Sequence, residues 1–131
     1  MIPGVAEGGS KMKIAVTAQG PTLDSAIDPR FGRCRYLILA DTLTDDWTAI
    51  PNPVLGEPGG AGIAMAQRLA QEKVEALITG NVGPNAARAL SAGGITVYIA
   101  GGGTVRQALG DFHEGRLAAA SGPTVSAHSG T

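Results

Sequence analysis

The chain has 131 residues, enough for one domain with its own core and too few for two ordinary ones. Its formal charge of -1, from 10 basic and 11 acidic residues, gives neither the basic footprint of a nucleic-acid binder nor a polyanionic tail. No uninterrupted apolar run reaches membrane-spanning length, the start lacks a basic-then-apolar signal pattern, and the lone cysteine, Cys34, excludes an intrachain disulfide and fits a cytoplasmic protein.

Hydrophobic residues make up 44% of the chain but aromatics only 4%, so the expected core is aliphatic and small. The 20 glycines have no period of three and cluster at GG, GGAG, GNVG and GGG, which points to tight turns and exposed backbone amides. Residues 1–11 read as a leader, 12–120 as the domain and 121–131 as a weakly patterned tail. In chain order, KIAVTA gives a strand over 14–17 and CRYLILAD another over 36–40. A third covers 47–50, stopped by Pro51 and Pro53, and is close enough to the second for an antiparallel hairpin. Helical spacing follows over 61–72, then a strand over 74–79, a helix over 84–92 stopped by Gly93 and Gly94, and a strand over 95–99. A last helix covers 104–112, where Thr104 and Gln107 fit a capping box and Val105, Ala108, Leu109 and Phe112 share one face.

This order predicts a three-layer α/β domain with a mixed sheet. Ligands in such sheets sit beyond the carboxyl ends of the parallel strands, where the glycine turns would meet. The turn GNVGPN, with Gly80, Asn81, Gly83 and Asn85, lacks the third glycine of a dinucleotide fingerprint and the lysine of a P-loop. What remains is a helix N-terminus preorganised by Pro84, either a structural turn or the wall of an anion site, with Asn81 and Asn85 as hydrogen-bonding or merely capping side chains. Gly60 and Gly62 open the first helix in the same style. The loop 18–35 carries Asp24, Asp28, Arg30, Arg33, Arg35 and Cys34, and Phe31 reads as its anchor. Cys34 is either a soft-metal ligand, with its pKa lowered by nearby arginines, or a small core hydrophobe. His113 and His128 lack partners at zinc-ligand spacing and read as a helix-end and a tail residue. No nucleophile–base pair stands out, so an enzyme is not expected.

The pieces MKIAVTA, DPRFGRCRYLIL, GGAGIAMAQRL, ALITGNVGPNAARAL, GITVYIAGGGTVRQAL and SGPTVSAH, in this order, resemble the dinitrogenase iron–molybdenum cofactor biosynthesis family. The resemblance runs from Met12 through roughly His128. It implies a ribonuclease-H-like α/β/α domain with a five-stranded mixed sheet, order 3-2-1-4-5, strand 2 antiparallel. It also implies a non-enzymatic protein that binds or carries an iron–sulfur or molybdenum-containing cluster, passing it between donor and acceptor proteins. The family motifs carry over to Arg30, Phe31, Gly32, Arg33, Cys34, the run 59–62, Gly80, Asn81, Gly83, Pro84, Asn85 and the 101–104 turn. Two positions where many relatives hold histidine are Arg30 and Gly60 in this chain.

Together these readings give an anion site built from backbone amides of Gly60, Gly62, Gly80, Asn81, Gly83, Asn85, Gly102, Gly103 and Thr104. Arg30 and Arg33 would balance charge, and Cys34 would be a conditional metal ligand. The main alternative is a small-molecule or nucleotide-binding regulatory module using the same edge. A pure interaction domain and a hydrolase rank below it.

Overall fold

Strand β1 (Lys13–Ala18) is the middle of the molecule, and every residue from Ile14 to Ala18 is buried. A continuous apolar run of this kind is what a strand covered on both faces requires. The computed structural model describes residues 12–54 and 60–120; the expected leader 1–11, the tail 121–131 with His128, and Gly59 lie outside them. Around β1 the described residues form β2 (Tyr36–Asp41), β3 (Trp47–Pro51), α1 (Ala61–Gln71), β4 (Ala76–Thr79), α2 (Pro84–Ala92), β5 (Thr96–Ile99) and α3 (Val105–His113).

The five strands lie in the order β3-β2-β1-β4-β5, as the resemblance implied. β2 is antiparallel to both β1 and β3, whereas β4 and β5 run parallel to β1. Alternation along the strands divides the core into two layers. Ala15, Leu37, Leu39, Leu77 and Val97 pack with Met65 and Leu69 of α1 and Leu90 of α2. Ile14, Val16, Ile38 and Ile78 pack on the other face with Val105 and Ala108 of α3, where Phe112 meets Tyr98 edge to face at 5.0 Å. Residues 118–120 cover the β5 edge, with the Ala120 amide donating to the Val97 carbonyl at 2.8 Å. Among the described residues no helix is long and apolar enough to cross a membrane.

Most boundaries shift by a residue, among them β3, which runs through Pro51 where a stop was expected, and two departures share one reason. Val74 and Ile95 were expected to begin strands, but each closes the preceding helix. The Val74 amide donates to the Leu69 carbonyl at 3.0 Å, and the Ile95 amide to the Leu90 carbonyl at 2.9 Å. Before each stands a left-handed residue, Lys73 at φ 63° and Gly94 at φ 75°. This is the Schellman ending, in which an apolar residue just past the helix turns back onto its last turn.

Candidate functional site

Beyond the carboxyl ends of β1 and β4, the loop 19–35 is sewn to the sheet by buried polar groups. The Asp28 amide donates to the Thr17 carbonyl at 2.9 Å, and the Thr17 hydroxyl donates to the Asp28 carbonyl at 2.6 Å. The Thr79 hydroxyl lies 2.8 Å from that of Thr17, and both threonines are buried. The Asp28 carboxylate is fully buried, and the half-exposed Arg30 guanidinium clasps it through two bonds of 3.0 and 3.1 Å. Burial alone would raise the Asp28 pKa, but the bonds from the Arg30 side chain and backbone outweigh it and hold the carboxyl below its ordinary range.

The same segment is drawn against the turns that open α1 and α2, and the glycines allow it. The Asn81 amide donates to the Pro29 carbonyl at 2.8 Å, and a Cβ on Gly80 would lie 2.6 Å from the Pro29 Cβ. A Cβ on Gly32 would lie 2.8 Å from the Gly62 nitrogen, and one on Gly62 2.9 Å from the Ala86 Cβ. Only residues without side chains permit three backbones to converge this closely. Asn52 holds the loop from behind, its Nδ2 donating to the carbonyls of Cys34 at 2.7 Å and Gly32 at 3.2 Å.

These approaches enclose a cleft of about 330 Å³, lined by Phe31, Gly32 and Arg33, by 60–63, and by Asn81 and 83–86. Two helix N-termini open into it. Neither α1, with Gly60 at its N-cap, nor α2, with Gly83, has a side-chain cap or an acidic residue in its first turn. The first backbone bonds run from Ala64 to Gly60 and from Ala87 to Gly83, so the amides before them carry the positive ends of both helices. By contrast α3 begins with the expected capping box: the Thr104 hydroxyl accepts from the Gln107 amide at 3.1 Å, and the Gln107 side chain accepts from the Thr104 amide at 2.9 Å. Among the described residues, the cleft lining contains Arg33 and no carboxylate, with Phe31, Ile63 and Pro84 as apolar surface. Such a lining holds an anion through amides and one cation. Among the described residues, no group of three or more His, Cys, Asp or Glu is placed to hold a metal ion. A larger cavity of about 680 Å³ lies at the opposite end of the sheet, where Glu72 already pairs with both Lys13 and Arg68.

Of the residues singled out from sequence, Arg33, Gly60, Gly62, Asn81, Gly83 and Asn85 meet at the cleft. The Asn85 side chain also accepts from the Arg88 guanidinium. Gly80 and Arg30 stand behind the lining, the first against Pro29 and the second on Asp28 with its backbone bridged to Asn81. Gly102, Gly103 and Thr104 sit elsewhere, backing the 19–35 loop: the Ile27 amide donates to the Gly103 carbonyl at 2.9 Å, and Gly103 has φ 88°. Cys34 is fully buried within the α1–α2 side of the core. Burial, with a smaller contribution from the Asp28 charge, pushes its thiol pKa up to about 12. Sequence reasoning missed Asn52 and Ile63. Ile63 carried a signal, since it falls off the stripe of Met65, Ala66 and Leu69 that α1 buries.

The comparisons with known proteins agree with this architecture. The family model described as dinitrogenase iron-molybdenum cofactor matches residues 12–115. The apo form of the orange protein from Desulfovibrio gigas superposes with a TM-score of 0.82 at 42% identity, covering 88% of this chain and 98% of that one. A candidate NifB protein from Thermotoga gives a TM-score of 0.73 at 37% identity, covering 82% of this chain and 92% of that one. An uncharacterized protein of Methanocaldococcus jannaschii is 29% identical over 109 residues, 81% of this chain and 89% of that relative. The chain belongs to the dinitrogenase iron–molybdenum cofactor family, and its role is that of an accessory, non-catalytic protein of cofactor biosynthesis.

Proposed function

We propose that the chain binds or carries an anionic metal–sulfur cargo, an iron–sulfur or molybdenum-containing cluster, between donor and acceptor proteins during metallocofactor assembly. The observation that carries this reading is the pair of helix N-termini without side-chain caps opening, with Arg33, into one cleft whose described lining holds no carboxylate, while α3 outside the cleft is capped. Each N-terminus presents roughly half a positive charge. Amides of 61–63 and 85–86 would donate to sulfide or oxo edges, and Arg33 would balance charge. Phe31 and Ile63 would shield one side from water.

Cargo held through amides and a guanidinium keeps its own ligands, so release to an acceptor breaks hydrogen bonds and no metal–protein bond. The test is anaerobic reconstitution with iron, sulfide and molybdate, followed by desalting, metal analysis and absorbance. Stoichiometric metal retained by the wild type and reduced in Arg33→Gln is the expected result. Absence of both metal and absorbance would overturn the reading, and calorimetric binding of ATP or inorganic phosphate in their place would favour a regulatory module.

A further inference from the structure

The Asp28–Arg30 pair is built in a way that simple loop anchoring does not require. A fully buried carboxylate is costly unless paired, and this one spends both oxygens on a single guanidinium that is itself 60% exposed. Oδ1 also accepts from the Arg30 amide at 3.1 Å. The side chain therefore fixes both the backbone and the head group of the residue two positions on. Arg30 in turn bridges Asn81, and Phe31 and Arg33 follow it directly into the cleft lining. On the other side, Asp28 is tied to the end of β1 through both backbone groups. One buried charge thus connects the end of the central strand to one whole wall of the cleft.

We propose that Asp28 is the positioning residue of the anion site, acting through Arg30 to hold the wall that carries Phe31 and Arg33 against the N-termini of α1 and α2. The inference rests on the anion-binding reading above. Its consequence runs against elementary electrostatics. Asp28 is a negative charge next to a site for negative charge, so by Coulomb's law its removal should strengthen binding. As a positioning residue it has the opposite effect, because losing the clasp frees the wall and Arg33 with it.

The probe is molybdate, titrated by calorimetry into the full chain well below the thermal transition of every variant. Asp28→Asn retains an acceptor for the Arg30 amide but sets an NH2 group against the guanidinium. We expect its affinity to fall on the order of tenfold, the usual effect of losing a charge-assisted bond. Arg30→Gln, at an exposed side chain, should lose a similar factor, and Arg30→Lys should recover part of it. Equal or tighter molybdate binding by Asp28→Asn would overturn the inference. If that variant fails to fold, unchanged affinity in Arg30→Gln would overturn it just as directly. A wild type that binds no molybdate and retains no cluster rejects the anion reading itself, a result distinct from either.

Discussion

Cys34 is a thiol placed where a thiolate is hard to form. It is fully buried, the Asn52 Nδ2 lies 3.8 Å from its sulfur, and its pKa is pushed up to about 12, first by burial and then by the Asp28 charge. At neutral pH it is a neutral core side chain, and thiolate is the form that binds metals. Replacing Cys34 with alanine should therefore leave metal retention after reconstitution unchanged and cost about 1 kcal/mol in urea unfolding, from the small cavity left behind. Lost retention in a folded variant would make the thiol a ligand after all. The glycines divide by the same kind of argument. A Cβ on Gly80 would stand 2.7 Å from the Pro29 Cα, a backbone atom that cannot step aside, whereas among the described residues nothing lies within 4 Å of a Cβ on Gly83. Gly80→Ala should destabilise by roughly 1–3 kcal/mol, the usual cost of overpacking, and Gly83→Ala by far less. Equal melting behaviour of the two variants would contradict the close approach.

The helices show how one kind of element serves two ends. All three finish alike, with a left-handed residue at Lys73, Gly94 or Gly115 and a backward bond from the residue after it. They begin differently: α3 is closed by Thr104 and Gln107, while α1 and α2 leave their first amides for the cleft. Giving α2 a cap should therefore help folding and harm function. Gly83 has φ -76°, which any residue can adopt, so Gly83→Asp can accept from the first-turn amides. It should gain a few tenths of a kcal/mol up to about 1 kcal/mol in thermal or urea unfolding. The same carboxylate should abolish molybdate binding by filling the anion's place. A variant that is more stable yet binds normally would show that the α2 terminus is no part of the site. These elements were largely legible in the sequence, because periodicity marks a buried face and Gly93 and Gly94 mark a stop. Val74 and Ile95 read as strand starts because an apolar residue that folds back onto a helix end looks, in sequence, like the first residue of the strand that follows, whether lysine or glycine stands before it. Glycine clustering led to Gly60, Gly62 and Gly83 at the cleft but also to Gly102 and Gly103, since composition cannot tell which turn a neighbouring loop will cover. The Asp28–Arg30 clasp was hidden because pairing depends on burial, and a loop sequence carries no periodic record of burial.

At the scale of the molecule, β1 is the strand at which the sheet changes character, antiparallel toward β2 and parallel toward β4. Chain ends that diverge at such a point leave a crevice, and the cleft lies beside it. Asp28 is tied to the end of β1 through Thr17 and holds Arg30, which gives the fold a defined response to acid. Its carboxyl lies below the ordinary carboxylate range in the folded state, and the unfolded chain returns it to that range. The unfolded state then binds protons more readily, so the stability contributed by Asp28 is fully present above the unfolded pKa, near pH 4. It is lost as the pH falls through the lower folded value. Glu72 is shifted in the same direction by Arg68 and then Lys13, but it sits at the surface, where solvent screens the pair. Urea midpoints should therefore stay level from neutral pH down to about 4 and then drop, the drop marking the region where the clasp on Arg30 is released. Asp28→Asn should begin from a lower midpoint at neutral pH, because it lacks the charged bonds, and should fall less steeply in acid, because it has one fewer proton to take up. Glu72→Gln should change the profile little. An acid slope identical in wild type and Asp28→Asn would mean that the buried carboxylate does not link folding to protons, and that its bond to Arg30 is weaker than the 3.0 and 3.1 Å geometry implies.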